Sequence, residues 1–306
     1  MAQDTARTTA KLRGLTAKFD NRIKAFPSFY PRLCTQVTST GADERYAILG
    51  NVQGVREWIG DREFGELRAS DWTLANKTWE VSQKIDREDI EDDRLGMYVP
   101  VLEQLAIRAM SHPDELLFSL INAAESTACF DGQYFFDTDH AWGDSGSQSN
   151  DLSATAASGT TPTVAEFKTA YNAARQALFG FKDDRGKRMN GMIYRAMSDI
   201  TLLVPPALEQ IALDALTVVL NATGGTNVVV DKPTIIVSPE MSSSAKFDIY
   251  VTNMPLKPYI FQARKPLRRQ MKGTTDIEYK DVKFMTEARY NLGYGAWWTA
   301  VRTTFT

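Results

Sequence analysis

The last thirty residues constrain the fold more than any other stretch of the chain. Val282, Phe284, Ala288, Tyr290, Leu292, Tyr294, Ala296, Trp298 and Ala300 fall on one parity, and Lys283, Glu287, Arg289 and Asn291 fall on the other. Successive side chains of a strand point to opposite faces, so this alternation predicts one long strand with a core face and a polar face. Gly293 and Gly295 lie on the second parity, where a bulge or bend lets a long strand follow a curved sheet.

Further upstream, short apolar strands alternate with helices. Thr201–Val204 and Thr234–Val237 read as buried strands, and Pro205-Pro206 opens a helix running to about Leu220. A capping box at Thr163-Val-Ala-Glu166 starts a helix that carries Phe167, Tyr171, Ala174 and Leu178 and stops near Gly180. Strands alternating with helices make a small α/β unit. Thr223-Gly-Gly-Thr226 lacks the spacing and the Lys-Ser/Thr ending of a phosphate loop, and reads as a helix stop and turn. Residues 143–162, rich in Ser, Gly and Thr, read as a loop or linker.

The first half of the chain has three amphipathic pieces. Leu12, Leu15, Phe19, Ile23 and Phe26 follow one another in steps of three and four, the spacing of one helix face. An isolated helix of this length is marginal in water, so its stripe needs another surface, most simply a neighbouring subunit; Pro27 and Pro31 then end it. From Phe64 to Ile85 the period becomes two. Trp72 and Leu74 precede a turn at Ala75-Asn76-Lys77, and Trp79, Val81 and Ile85 follow it, which reads as a β-hairpin. A two-stranded hairpin is rarely stable alone, so it lies either on a neighbour or on its own domain. Pro100 opens a helix through Met110 with Leu102, Leu105 and Ala109 on one face. A second begins near Pro113, with Asp114 and Glu115 in its first turn, and continues through Leu116, Leu117, Leu120, Ile121 and Ala124. His112-Pro113 is expected to break or bend the pair.

Composition excludes several classes. The 306 residues are 43% hydrophobic and 24% charged, ordinary for a globular chain. The longest apolar stretch, Ile200 to Leu220, is interrupted by Pro205, Pro206, Glu209 and Asp214, so no bilayer span is expected. The start M-A-Q-D-T-A-R lacks the apolar run of a secretion signal. Cys34 and Cys129 have no second Cys or His at metal-ligand spacing and read as small buried hydrophobes. The net charge of −3 hides local blocks. Residues 1–32 hold seven basic side chains against two acids, and residues 86–93 hold six acids against Arg87. Arg264, Lys265, Arg268, Arg269 and Lys272 form a second basic cluster. Such blocks either satisfy each other between copies or are simply solvated faces. No aromatics interleave with the basic residues of the arm, and no nucleic-acid reading module is visible.

Asp137, Asp139 and His140, beside Asp131, are the one group that invites a metal-dependent hydrolase. A Ca²⁺ loop needs further oxygen ligands at alternating positions, and Ala141 and Gly143 stand there instead. Spacing reveals neither a nucleophile nor an orienting partner for His140. The expectation is therefore no catalytic residue, no metal and no cofactor, with the carboxylates taking turn hydrogen bonds.

The order of these pieces is specific where each alone is weak. Tyr30-Pro31-Arg32-Leu33-Cys34-Thr35 is followed by Arg56-Glu-Trp-Ile-Gly-Asp-Arg62, the hairpin pattern, the acid run and two short helices, and then by Phe130-Asp-Gly-Gln-Tyr-Phe-Phe-Asp-Thr-Asp-His140. This succession resembles the major head protein family of Mu-like tailed phages. The resemblance implies an α+β chain with the Hong Kong-type capsid fold. Its parts would be an N-terminal arm (1–45), an extended hairpin loop region (46–92), a peripheral domain beginning with its spine helix (93–162), an axial α/β domain (163–272) and the peripheral domain's C-terminal strands (273–306).

The function so implied is a virion protein that self-assembles as hexamers and pentamers into an icosahedral shell enclosing double-stranded DNA without reading its sequence. Assembly would take place in host cytoplasm, away from membranes, with a portal and decoration proteins as further partners. A separate scaffolding protein is expected, because Tyr30-Pro31 comes almost at once. The contacts implied between subunits are Trp72, Leu74, Asn76, Lys77, Trp79 and Val81 of the hairpin and Leu12, Leu15, Phe19, Ile23 and Phe26 of the arm. Charge pairing between copies would join Asp86, Glu88, Asp89, Glu91, Asp92 and Asp93 to Arg264, Lys265, Arg268 and Arg269. No self-made covalent link is expected at Lys77. An encapsulin-like compartment of the same fold, loaded with protein cargo, is the alternative.

Overall fold

In a computed structural model the described residues are 2–46, 72–86, 88, 89, 92, 94–189, 200–217, 232–272 and 281–306. Two sheets organise them. The first has four strands in the order β1-β11-β12-β4, where β1 is Cys34–Thr38, β4 is Lys77–Asp86, β11 is Tyr259–Lys272 and β12 is Asp281–Tyr294. The two long strands pair antiparallel from Tyr259↔Tyr294 to Lys272↔Lys283. Their register shifts between Ala263 and Arg268, where Pro266 has no N–H to give to the ladder. The even-numbered residues of β12 from Val282 to Leu292 are buried, as the alternation predicts.

Helix α1 (Ala2–Ala25) and the 26-residue α3 (Tyr98–Ala123) pack on this sheet, and a single turn α2 (Tyr30–Leu33) leads into β1. A small ribbon of β2 (Asp43–Tyr46) and β3 (Trp72–Ala75) lies against β12.

The second sheet has five strands in the order β7-β13-β10-β8-β9: β7 is Asp151–Ala154, β8 Ile200–Val204, β9 Thr234–Val237, β10 Lys246–Val251 and β13 Ala300–Phe305. Helices α4 (Val164–Gly180) and α5 (Pro206–Leu216) pack on each other and on its strands. Because β8 and β9 run parallel with α5 between them, they form a βαβ unit. The capping box starts α4 as expected: Thr163 Oγ1 accepts from the Glu166 N–H at 3.3 Å, and Glu166 Oε2 accepts from the Thr163 N–H at 2.7 Å. A minimal pair, β5 (His140–Ala141) with β6 (Ser147–Gln148), sits between the sheets in the chain order.

Several expectations need correction. The C-terminal strand does not run unbroken to Ala300: β12 ends at Tyr294, a 3-10 turn spans Trp297–Thr299, and β13 crosses into the other sheet. At the corner, the Gly295 N–H donates to Pro258 O at 2.8 Å, and a Cβ on Gly295 would stand 2.7 Å from the Lys257 carbonyl oxygen. The predicted division at 272/273 separates β11 from β12, which are paired along their length, while β7, placed upstream of 163, belongs to the five-stranded sheet. The Ser/Gly-rich stretch is not all loop, because a strand pairing through its backbone does not require apolar side chains.

Pro113 does not split the helix. α3 is continuous from Tyr98 to Ala123, with Pro113 itself buried. Apolar contacts on both sides of the proline, Leu102, Leu105 and Ala106 before it and Leu117, Phe118 and Ile121 after, hold the helix against the missing bond. The predicted hairpin is also absent: β3 and β4 are one residue apart and pair with β2 and β12 respectively, not with each other. One residue is too short for a reversing turn. The helix after Pro205-Pro206 ends at Leu216; residues 218–220, Thr223-Gly-Gly-Thr226 and Arg56–Arg62 lie outside the described residues.

Candidate assembly surfaces

The centre of the arm's stripe is covered by its own chain. Leu15 and Phe19 are buried in a cluster with Ile85, Leu102, Leu105 and Phe284, and the Phe19 and Phe284 rings meet edge to face at 4.9 Å. Ile23 packs at its margin, Phe26 is half-buried, and the side chain of Leu12 lies outside the described residues. Burial of each large apolar side chain is worth about 1.5–3 kcal/mol. Leu15 and Phe19 at the centre of the stripe are thus covered within their own chain. Past the arm, the chain is held by Asp114 of α3, whose carboxylate accepts from the Phe29 N–H at 3.0 Å and the Tyr30 N–H at 2.7 Å. Burial raises the Asp114 pKa against these bonds. In the sequence this residue reads only as a helix first-turn acid.

The candidate hairpin residues fall in two places. Trp72 and Leu74 lie over Gly293, where an added Cβ would stand 2.5 Å from the Trp72 ring and 3.1 Å from a Leu74 methyl. Asn76 donates to Ser39 Oγ at 2.8 Å and accepts from Gln262 at 2.8 Å. The buried Gln262 also donates to Leu74 O and accepts from the Tyr46 hydroxyl, fastening the β2–β3 ribbon to the sheet. Trp79 is on β4, its indole N–H donating to Tyr290 O at 3.0 Å and its ring 4.3 Å from His112. Trp79, Val81, His112 and Tyr290 line an open groove of about 520 Å³ between α3 and the sheet, with Arg108 and Glu115 also on its lining. Lys77 is exposed.

The charged tracts make several contacts within the chain. Arg269 pairs with Asp20 of α1 through two bonds of 2.7 and 2.8 Å, and Arg264 donates to Ser39 O at 3.2 Å. Lys265 and Arg268 are exposed. In the acid run, Asp86 accepts from the Glu88 N–H, Asp89 accepts from the Tyr98 hydroxyl, and Asp92 is exposed. The side chains of Glu91 and Asp93 lie outside the described residues.

The polar residues that join the five-stranded sheet to the end of α3 are not legible in the sequence. Arg302 of β13, 3% exposed, forms a two-bond ion pair with Asp248 of β10, both contacts at 2.7 Å. It also donates to Ile121 O near the end of α3 and to Glu125, and its guanidinium lies 4.3 Å over the Phe136 ring. Burial alone lowers its pKa, yet Asp248 holds it above the ordinary value. The sequence shows only an arginine beside two threonines on a short strand.

Asp137, Asp139 and His140 do not converge. Asp137 accepts from the backbone N–H groups of Tyr134 and Thr138, as expected of a turn, and Asp139 is exposed. His140 is buried and bonds instead to Asp131 at 2.7 Å.

A family model described as Mu-like prophage major head subunit gpT matches residues 9–167 and 164–241. The chain belongs to this family. Two Mu-like relatives agree: the Mu-like prophage FluMu major head subunit of Haemophilus influenzae is 43% identical over 130 residues, and the major capsid protein of Escherichia phage Mu 36% over 122. The matched segments span 42% and 40% of those relatives' lengths and the same shares of this chain. Among solved structures, the bacteriophage JBD30 procapsid aligns with a TM-score of 0.56 and 24% identity, over 96% of this chain and 75% of that one. The cyanophage P-SCSP1u capsid gives 0.58 and 12%, over 92% and 90%. At those identities the likeness carries the fold, a tailed-phage capsid fold of mixed α and β content. The two-sheet arrangement with a long helix matches the α+β fold class that the resemblance implies.

Proposed function

We propose that this Mu-like chain is the shell subunit of a phage or prophage head, assembling as hexamers and pentamers around double-stranded DNA. The observation that carries the reading is the family match over residues 9–241 on a chain with the capsid fold. Its work is assembly rather than chemistry, a reading supported by the family match. The five-stranded unit takes the axial place at ring centres, and the four-stranded sheet with α3 the peripheral place. A shell needs one surface patch to meet its complement in rings of both sizes, and modest contacts acting together supply its stability.

Exposed Lys265 and Arg268 pair with the acid run of a neighbouring copy, where such pairs set register more than affinity. Trp79 and Val81, at the open groove, are the hairpin residues best placed to meet a neighbour; Trp72, Leu74 and Asn76 serve the fold of their own chain first. Arm residues Leu12, Leu15, Phe19, Ile23 and Phe26 reach a neighbour by exchanging their place on one copy for the same place on another. A separate scaffolding protein, a portal and decoration proteins complete the head, no covalent link joins subunits at Lys77, and assembly takes place in host cytoplasm.

Negative-stain microscopy of the expressed chain, alone and with the neighbouring genes of its locus, tests this reading. Closed shells or tubes are expected. A monomer under all conditions overturns it, and shells holding a specific protein cargo with no portal favour the encapsulin-like alternative.

A further inference from the structure

We propose that Cys129, Asp131 and His140 form a binding site for a thiophilic divalent cation, with zinc the best fit. Their ligand atoms lie within 4.8 Å of one another. Asp131 stands between the other two: its Oδ1 is 2.9 Å from Cys129 Sγ and its Oδ2 is 2.7 Å from His140 Nδ1. Sulfur, carboxylate oxygen and imidazole nitrogen together are a zinc donor set, and hard cations such as Mg²⁺ and Ca²⁺ avoid the thiolate.

The groups are held in place before any ion arrives. Cys129 and Asp131 sit in a tight turn, closed by the Cys129 N–H donating to Gln133 O at 2.7 Å and the Gly132 N–H donating to Cys129 O at 3.2 Å. The Gln133 N–H donates to Asp131 Oδ1, fixing that carboxylate. His140 comes from β5, and its ring stacks on the Trp297 indole at 4.0 Å and 6°. His140 is fully buried, and its Nε2 has no hydrogen-bond partner. Gly132, in the same turn, is exposed, which puts that turn at the protein surface, and the fourth position would fall to a water.

Loading balances in protons and in charge. Without a cation, the ionised Asp131 accepts the thiol proton of Cys129 and the ring proton on His140 Nδ1. On binding, Cys129 releases one proton to solvent and His140 moves its ring proton from Nδ1 to Nε2. Thiolate and carboxylate then neutralise a 2+ ion, leaving no net charge in a buried place. Donor atoms around tetrahedral zinc, with bonds of about 2.0–2.3 Å, stand roughly 3.3–3.8 Å apart, so loading spreads the two short contacts by less than about 1 Å. The bound ion would staple the turn after α3 to β5.

The test is to titrate the purified full chain with Co²⁺ alone and follow thiolate-to-cobalt absorption in the near ultraviolet. One equivalent should develop the band, zinc should bleach it, and Cys34→Ser should leave it unchanged. Cys129→Ser keeps a hydroxyl to donate to Asp131 and should lose the band entirely. Zinc should raise the melting temperature of the wild type but not of Cys129→Ser or Asp131→Asn. If Cys129→Ser does not fold, Cys34→Ser decides alone, because Cys129 is then the only thiol in the chain. No thiolate band in folded protein, or a band that survives Cys129→Ser, overturns the proposal.

Discussion

Replacing Arg302 with leucine should be among the most damaging single changes in this chain. The guanidinium is 3% exposed and its partner Asp248 is fully buried, so truncation leaves a carboxylate in the core with the Tyr250 hydroxyl, at 2.8 Å, as its remaining neighbour. Breaking a buried pair by removing one member costs about 3–5 kcal/mol. The lost stacking on Phe136 adds to this by about 0.5–2 kcal/mol. With a urea m-value of about 3 kcal/mol/M, the ion-pair part alone shifts the unfolding midpoint by roughly 1–1.7 M. The double change Arg302→Leu with Asp248→Leu removes both charges and should recover most of the loss, since apolar replacements of buried pairs are often neutral or better. Urea unfolding of the unassembled subunit, followed by tryptophan fluorescence, completes the double-mutant cycle. Additive single costs, or a loss below about 1 kcal/mol for Arg302→Leu, would refute the idea that this pair ties β10 and β13 to the end of α3.

Three further outcomes are expected. Phe19→Ala removes a fully buried ring from the α1 seat and should cost about 3–5 kcal/mol locally; limited proteolysis should then cut within residues 2–25 much faster than in the wild type. Gly293→Ala should destabilise by about 1–3 kcal/mol, because the new methyl meets the Trp72 ring at 2.5 Å, and combining it with Trp72→Ala should cost less than the two changes summed; full additivity in melting experiments counts against the contact. For Glu125, burial raises the pKa, but Lys246 and Arg302 outweigh it and hold the carboxyl below its ordinary 4.5. Its stabilising contribution is therefore complete above that value and lost as pH falls through the lower folded-state pKa, so the acid unfolding midpoint should move to higher pH in Lys246→Met; an unchanged midpoint would contradict the assignment.

Local periodicity and capping chemistry made much of the secondary structure readable from sequence. The parity of β12, the capping box of α4 and the strand-helix-strand order of β8, α5 and β9 are all local patterns, set by where side chains point along one element. The ordered succession of weak motifs also pointed to the family that the family model matches. What tertiary structure decided was pairing. β3 and β4 each read correctly as strands, yet no local feature says that one pairs with β2 and the other with β12, because register depends on partners far away in the chain. The same holds for Pro113, tolerated because α3 is packed on both sides of it, and for the break after Tyr294, where a glycine must approach the Lys257 carbonyl. The site at Cys129 was invisible for the same reason: its histidine lies eleven residues on, and only the turn at Gly132 and the stack on Trp297 bring the three ligands together. Side-chain spacing is a property of the chain, whereas the burial of a charge or the meeting of two strands is a property of the packed whole.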